Sequence, residues 1–335
     1  KSKAKSKPWG QSPRPLFSFN NLLFPRHLDM PISNAIALMV YTKLVIRMEK
    51  FMRERVFGLI GMILFTASVG WTAPVFDARL AHVLHQAGVE GCIAVVQISQ
   101  NRTLVSDISR CQERLMPAST FKIVQAVIAL ETGVVREDEI FFWDKTAYSF
   151  KAWEQDMTLR QAMAVSAVPV FQQIARRIGL ERMAQWLVTL NYGNTEIGGV
   201  VDRFWLDGPL SISPLEQAKF MAQLAMGQLP VSPSSMMVLR RVMPQEAVEG
   251  WHLFGKTGWA VAASPKVGWY VGWGERQGER LSFALTIPMP SLEQAPLRIS
   301  LAKEALRTLG ILATQEPVAK AGDGIPGMLH ETWGK

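Results

Sequence analysis

P-A-S-T-F-K-I-V-Q-A-V-I-A-L-E-T-G, residues 117–133, decides how the rest of the chain is read. Pro117 suits the entry to a helix, an apolar run follows and Gly133 stops it, so the pattern predicts a helix over 119–131. Residues three apart on a helix share a face, which brings the Ser119 hydroxyl and the Lys122 amine together at its start. Free backbone N–H groups and the positive end of the helix dipole at such a start suit a developing oxyanion. A serine hydroxyl is a poor nucleophile until a neighbouring base takes its proton. A lysine is such a base only when burial holds it neutral or its chemistry is altered. Ser-x-x-Lys alone is a weak signal, since about one is expected by chance in a chain this long. Residues 2–5 supply such a chance match inside a polar stretch. Context separates Ser119 from it.

Outward from that helix, apolar spacing at Leu80, Val83 and Leu84 predicts a helix over 76–87 ended by Gly88. Strands are predicted over 92–98 and 103–106, joined around Gln100-Asn101. Residues 134–250 read as mainly helical, with helices over 158–166, 169–178, 180–190 and 214–225. The period then switches to strands over 251–256, 268–274 and 281–287, and a helix over 297–309 follows. Strand pairs at both ends with helices between them imply an α/β (α+β) fold over residues 71–312. Its antiparallel sheet is built from both chain ends and flanked by terminal helices, with a helical lobe inserted at about 134–250. A site between sheet and lobe draws on all three stretches. The tail over 313–335 is expected to be disordered.

Two further motifs stand at suitable distances. Ser166-Ala167-Val168 ends one helix just before Pro169, and Lys256-Thr257-Gly258 sits in a strand. Lys256 suits an anionic carboxylate, Thr257 can donate a hydrogen bond to it, and Gly258 lets a ligand backbone approach closely. Singly, each has a plain alternative: Ser166 as a helix-end hydroxyl, Lys256 as a solvated strand residue. Competing chemistries lack their residues. None of the five histidines lies in a nucleophile-elbow or zinc motif, and His82 and His85 read as surface positions. No metal site and no glycine-rich phosphate loop is expected.

The net charge of +8 is local. Residues 1–55 carry eleven Lys/Arg against three Asp/Glu, and the remainder carries 25 of each sign. No nucleic-acid partner is therefore expected. Arg53 and Arg55 precede an apolar run over 56–69 and the small residues Ser68-Val69-Gly70. Residues 52–70 thus read as an export signal, shorter than the roughly 20 residues of a membrane span, with an uncleaved anchor as the alternative. Residues 1–51 read as an upstream segment outside the folded domain. Export puts Cys92 and Cys111 in an oxidising compartment, where a disulfide is favoured over two buried thiols.

S-T-F-K (119–122), S-A-V (166–168), Tyr192-Gly193-Asn194 and K-T-G (256–258), in this order and spacing, resemble the four motifs of the class D (oxacillinase-type) serine β-lactamases. The flanks agree: PASTFKI (117–123), SAVPVFQQIARRIG (166–179), FWLDGPLSIS (204–213) and GWYVGW (268–273). The resemblance spans about residues 76–312. It implies the serine β-lactamase/penicillin-binding transpeptidase-like fold and a β-lactam hydrolase acting through a Ser119 acyl-enzyme. It implies no separate cofactor, but CO2 or bicarbonate carboxylates Lys122 on its ε-nitrogen. Trp205 then steadies the carbamate, and Val168 and Leu206 close over it. Ser166 and Lys256 relay a proton to the leaving nitrogen, and the N–H groups of Ser119 and Trp259 hold the oxyanion. Thr257, beside Gly258, and Arg298 bind the substrate carboxylate, while Tyr192-Gly193-Asn194 is structural. The same resemblance implies a periplasmic enzyme, monomeric or homodimeric, touching membrane only through its export signal. The alternatives are a penicillin-binding DD-transpeptidase or carboxypeptidase, and a β-lactam-sensing receptor domain. Apolar Val168 and the F-W-L segment favour the hydrolase over the first. A sensor needs several membrane spans ahead of the domain, and residues 1–75 offer at most one.

Overall fold

The computed structural model describes residues 71–313. The readings placed on the upstream segment, the export signal and the tail from residue 314 lie outside these residues. In chain order the first elements are β1 (Val75–Phe76), α1 (Ala78–Gln86), β2 (Cys92–Gln97), β3 (Arg102–Val105) and α2 (Ile108–Gln112). A 3-10 turn (Ala118–Phe121) leads into α3 (Lys122–Glu131). The lobe holds β4 (Ile140–Phe141), β5 (Met157–Thr158), α4 (Leu159–Ala164), α5 (Val168–Ile178), α6 (Leu180–Thr189), α7 (Pro214–Met226) and α8 (Pro233–Val242). Then follow β6 (Gln245–Val248), β7 (Trp251–Ala260), β8 (Val267–Arg276), β9 (Glu279–Pro288) and α9 (Ala295–Thr308).

Seven strands form one sheet in the order β1-β3-β2-β9-β8-β7-β6. All its pairs are antiparallel except β1 with β3. The two chain ends meet at its centre, where Val95 of β2 faces Phe283 of β9. Alternation decides which face each side chain takes. Cys92, Ala94 and Val96 pack toward the helical lobe, together with Trp269, Val271 and Trp273 of β8. Ile93 and Val95 pack the other way, with Tyr270, Phe283 and Leu285, under α1 and α9. Both faces are covered, so β2 reads as the unbroken apolar run C-I-A-V-V rather than as a polar–apolar alternation.

Helix starts follow local chemistry. Asp77 caps α1, and Thr158 with Gln161 makes a reciprocal capping box on α4. Ser213 and Glu216 do the same for α7, with Pro214 in its first turn. Cys92 and Cys111 are joined by a disulfide that ties β2 to α2, with the two Cα atoms 5.3 Å apart.

The structure departs from the sequence-based expectations at several places, among them the following. Residues 75–76 form an edge strand, so the first helix starts after Asp77, whose side chain caps it. Residues 119–121 form 3-10 turn rather than α-helix. Within the block read as helical, 245–248 is an edge strand whose partner is the start of β7 (Val248 opposite Trp251). Finally, α8 was not foreseen, although Ser232 caps it, Pro233 opens it and Met236, Leu239 and Val242 make a buried stripe.

Candidate active site

Ser119 stands on the 3-10 turn, between sheet and lobe. Successive side chains at i and i+3 eclipse in 3-10 geometry, more closely than on an α-helix. Lys122 therefore lies over Ser119, and its Nζ is hydrogen-bonded to Ser119 Oγ at 2.7 Å. The turn is held from several sides. Thr120 Oγ1 donates to the Pro117 carbonyl (2.7 Å), and Trp269 Nε1 donates to the Met116 carbonyl (2.9 Å). Ala118, fully buried, takes a left-handed φ of +47°, a conformation a non-glycine residue keeps only where its surroundings impose it. Ser119 itself is half-buried and open to a ligand.

Lys122 has no solvent exposure at all. Its Nζ sits 5.4 Å from the centre of the Phe171 ring. Burial, and secondarily the positive charge of Lys256, hold its pKa well below the ordinary lysine value, which favours the uncharged amine.

Ser166 occupies the turn between α4 and α5 with a left-handed φ of +57°. That conformation aims its hydroxyl at β7, where Lys256 Nζ donates to Ser166 Oγ at 2.9 Å. Lys256 also donates to the Thr257 carbonyl (3.0 Å). The solvated-strand reading of Lys256 is excluded by its 2% exposure. Alternation along β7 places Lys256 on the lobe face with Phe254 and Ala260, inside the cleft that Ser119 borders. Burial, then the charge of Arg298, bring its pKa down to about 7.

Beyond residue 254 the outer edge of β7 has no strand partner among the described residues, and the Ser119 turn packs against it instead. The approach is close at Gly258. A Cβ there would stand 3.0 Å from Thr120 Cγ2 and 3.1 Å from the Pro117 carbonyl oxygen, so glycine is required by contact rather than by backbone conformation. Thr257, half-buried, lies one step out of phase with Lys256, opposite Tyr270 on the α9 face. Arg298 comes from the first turn of α9, passes over Gly268 and donates from Nη1 to the Gly258 carbonyl (2.6 Å). Burial lowers its pKa to about 10, which leaves it charged. The Trp259 indole is committed to the Met289 carbonyl (2.8 Å).

Trp205 is fully buried in a turn-rich stretch, its ring centre 5.8 Å from that of Phe121, the neighbour of Lys122. Its indole N–H has no hydrogen-bond partner among the described residues. Val168, the first residue of α5, and Leu206 are half-buried, and Leu206 packs against the lobe core. Tyr192 is fully buried with its ring 5.6 Å from Phe121. Gly193 takes φ +58° where a Cβ would lie 2.2 Å from the Ser211 carbonyl oxygen, and Asn194 bonds to Pro209 and Ser211. This motif braces the loop that carries Trp205. Thr120 and Trp269, which fix the Ser119 turn, were not singled out from the sequence. The GWYVGW run was the available signal for Trp269.

The arrangement pairs a reachable hydroxyl with a buried amine whose pKa is held down, and a second hydroxyl with a second buried lysine. A fixed cation stands at the strand edge. Such a set suits acyl transfer to serine on a substrate bearing a carboxylate. Comparison with known proteins agrees. The penicillin binding protein transpeptidase domain family matches residues 90–308. The chain is 38% identical to β-lactamase OXA-10 of Pseudomonas aeruginosa over 228 residues, 67% of this chain and 86% of that protein. It is 36% identical to β-lactamase OXA-48 of Klebsiella pneumoniae over 219 residues, 65% of this chain and 83% of that protein. Among solved structures, FUS-1 (OXA-85), a class D β-lactamase from Fusobacterium nucleatum subsp. polymorphum, superposes with a TM-score of 0.69 at 33% identity, covering 71% of this chain and 99% of that one. From the paired serines and lysines to the shared fold, the chain belongs to the penicillin-binding transpeptidase-domain family and, within it, to the class D β-lactamases.

Proposed function

We propose that this protein hydrolyses β-lactam antibiotics through an acyl-enzyme on Ser119 and so protects its host against them. One observation carries the reading: Ser119 Oγ lies 2.7 Å from the amine of a fully buried lysine whose pKa burial holds well below the ordinary value. A charged lysine cannot accept the serine proton, and a neutral one at hydrogen-bond distance can. Ser119 Oγ then attacks the lactam carbonyl carbon, and the C–N bond of the ring breaks. The leaving nitrogen takes a proton along the Lys256–Ser166 pair, which suits the task because Lys256 titrates near pH 7. Arg298 and Thr257 hold the substrate carboxylate at the edge of β7. The backbone N–H groups of Ser119 and Trp259 receive the oxyanion. Water releases the acyl group from Ser119.

The pocket around Lys122 fits a carboxylated side chain. An uncharged, fully enclosed amine is the form that reacts with CO2, and the unpaired, fully buried N–H of Trp205 suits a new anionic acceptor. Val168 and Leu206 keep the surroundings apolar. Carboxylated by CO2 or bicarbonate, Lys122 would supply an anionic base for both half-reactions. A periplasmic site of action, reached through an export signal over 52–70, is supported by the buried Cys92–Cys111 disulfide, which belongs in an oxidising compartment.

The test is turnover. The purified protein is expected to hydrolyse a penicillin and a chromogenic cephalosporin over many cycles, losing activity when bicarbonate is removed and regaining it when bicarbonate is restored. A single stoichiometric acylation of Ser119 without turnover overturns the reading in favour of a transpeptidase or sensor. Activity indifferent to bicarbonate, with Lys122→Ala still able to deacylate, overturns the carboxylation.

A further inference from the structure

The catalytic strand continues past the chemistry into a cleft that the reaction above leaves unused. It measures about 300 Å³ and runs along the outer edge of β7 from Lys256 and Thr257 to Gln245 and Glu246 of β6, with Ile299 of α9 as an apolar wall. Its floor is Tyr270. A Cβ at Gly255 would stand 2.2 Å from the Tyr270 hydroxyl, so the glycine lets this ring cross β7 and bring its hydroxyl to the strand edge. That hydroxyl has no hydrogen-bond partner among the described residues. Burial, and secondarily the charge of Glu246, push the Tyr270 pKa up to about 12, so the hydroxyl stays a donor at any physiological pH.

The cleft is electrically polar. One end borders Lys256 and Thr257, beside the place where the reading above seats the substrate carboxylate. Glu246 makes the other end anionic, about 10 Å along the strand, because it faces Leu253, three residues before Lys256. Its carboxylate is half exposed, lines the cleft and has both oxygens 2.7 Å from Nζ of Lys303 on α9. A ligand that fits carries a carboxylate at one end, an apolar link, and a cation or strong donor at the other.

We propose that this cleft is a subsite for a cationic substituent on the carboxylate-bearing ring of the β-lactam, with Glu246 and the Tyr270 hydroxyl as its contacts. The inference rests on the β-lactam reading of the Ser119 site and adds the substrate class that the site prefers. Glu246 is a specificity residue here. It touches neither Ser119 nor the scissile bond, so it acts on KM and leaves penicillins, which lack the substituent, untouched. Anionic substituents are disfavoured at this end for the same reason.

The experiment compares two cephalosporins with one acyl side chain that differ only at the ring carbon beside the carboxylate, one pyridiniomethyl and one acetoxymethyl, with a penicillin as control. The wild-type protein is expected to show a KM about two- to five-fold lower for the cationic compound, the range of a partly exposed ion pair. In Glu246→Gln that ratio should fall to about one while penicillin kcat and KM stay unchanged. In Lys303→Ala, which frees the carboxylate, it should widen, and added salt should narrow it. A ratio insensitive to Glu246→Gln, with penicillin turned over normally, overturns the subsite alone. No turnover of any of the three compounds by the wild-type protein overturns the β-lactam reading and the subsite with it.

Discussion

Replacing Trp205 by Phe separates two readings of one atom. The indole N–H is fully buried and has no partner among the described residues. An unsatisfied buried donor costs about 1–3 kcal/mol, so its retention needs a reason. If the reason is a carboxylated Lys122, the N–H donates to an anion, an interaction worth about 1.5–3 kcal/mol. At 1.4 kcal/mol per decade its loss raises the bicarbonate concentration for half-maximal activity by about 10- to 100-fold. Acylation by enzyme saturated with bicarbonate should change far less. The assay is a titration of bicarbonate into decarbonated buffer, read by initial rates on a chromogenic cephalosporin. Thermal midpoints give a second readout, because a ligand bound only to the folded state raises them in proportion to the logarithm of its saturation. The wild-type midpoint should climb with bicarbonate, and that of Trp205→Phe should lag behind. Equal half-saturation in the two proteins would refute the reasoning, since the N–H would then be an ordinary orphan whose removal has nothing to do with CO2.

Other expected outcomes are equally specific. Ser166→Ala removes the acceptor of the Lys256 hydrogen bond and should slow acylation by about 10²- to 10⁴-fold with the fold intact, measured by stopped-flow and circular dichroism. Lys256 titrates at about 7 in the fold against 10.5 when free, so between those values the unfolded chain holds the extra proton and stability rises with pH. Urea titrations from pH 7 to 10 should show that rise, flattened in Lys256→Met. Gly193→Ala sets a Cβ 2.2 Å from the Ser211 carbonyl oxygen at φ +58° and should destabilise the loop bearing Trp205 by at least about 2 kcal/mol, read as a lower melting temperature. Serines at both Cys92 and Cys111 open a link between positions 19 apart and should cost about 3 kcal/mol in chemical denaturation.

The site was legible wherever its chemistry coincides with local sequence. Ser119, Lys122, Ser166 and Lys256 announce themselves by spacing and by the elements they start or end, and the structure brings each serine to its lysine. Arg298, supported in the sequence only by P-L-R, turned out to be anchored on the backbone of β7. What the sequence does not carry is set by tertiary contact. The 3-10 form of 118–121 depends on Thr120 and Trp269 clasping the turn against β7, and nothing local distinguishes it from a first α-helical turn. Q-E-A-V has no strand signature because an edge strand with three exposed residues takes its conformation from its neighbour. The pattern of α8 was present in M-x-x-L-x-x-V and in the Ser-Pro start, but the prolines nearby read more readily as loop. That Thr257 points away from Lys256 follows from alternation alone once the strand is accepted.

The middle of the sheet joins the beginning of the domain to its end: Cys92 stands opposite Thr286, with the whole helical lobe between them in the chain. A ribosome delivers residues in order, so β2 waits for its inner neighbour until nearly all of the polypeptide has been made. Until then the apolar strand C-I-A-V-V and the lobe's underside have no cover. Pairings this distant close slowly and expose sticky surface meanwhile. A chain that acquires its final hairpin last stays unfolded until its synthesis is nearly complete. A stop codon anywhere before β9 leaves a fragment without the strand that closes the sheet, destined for proteolysis rather than for partial activity.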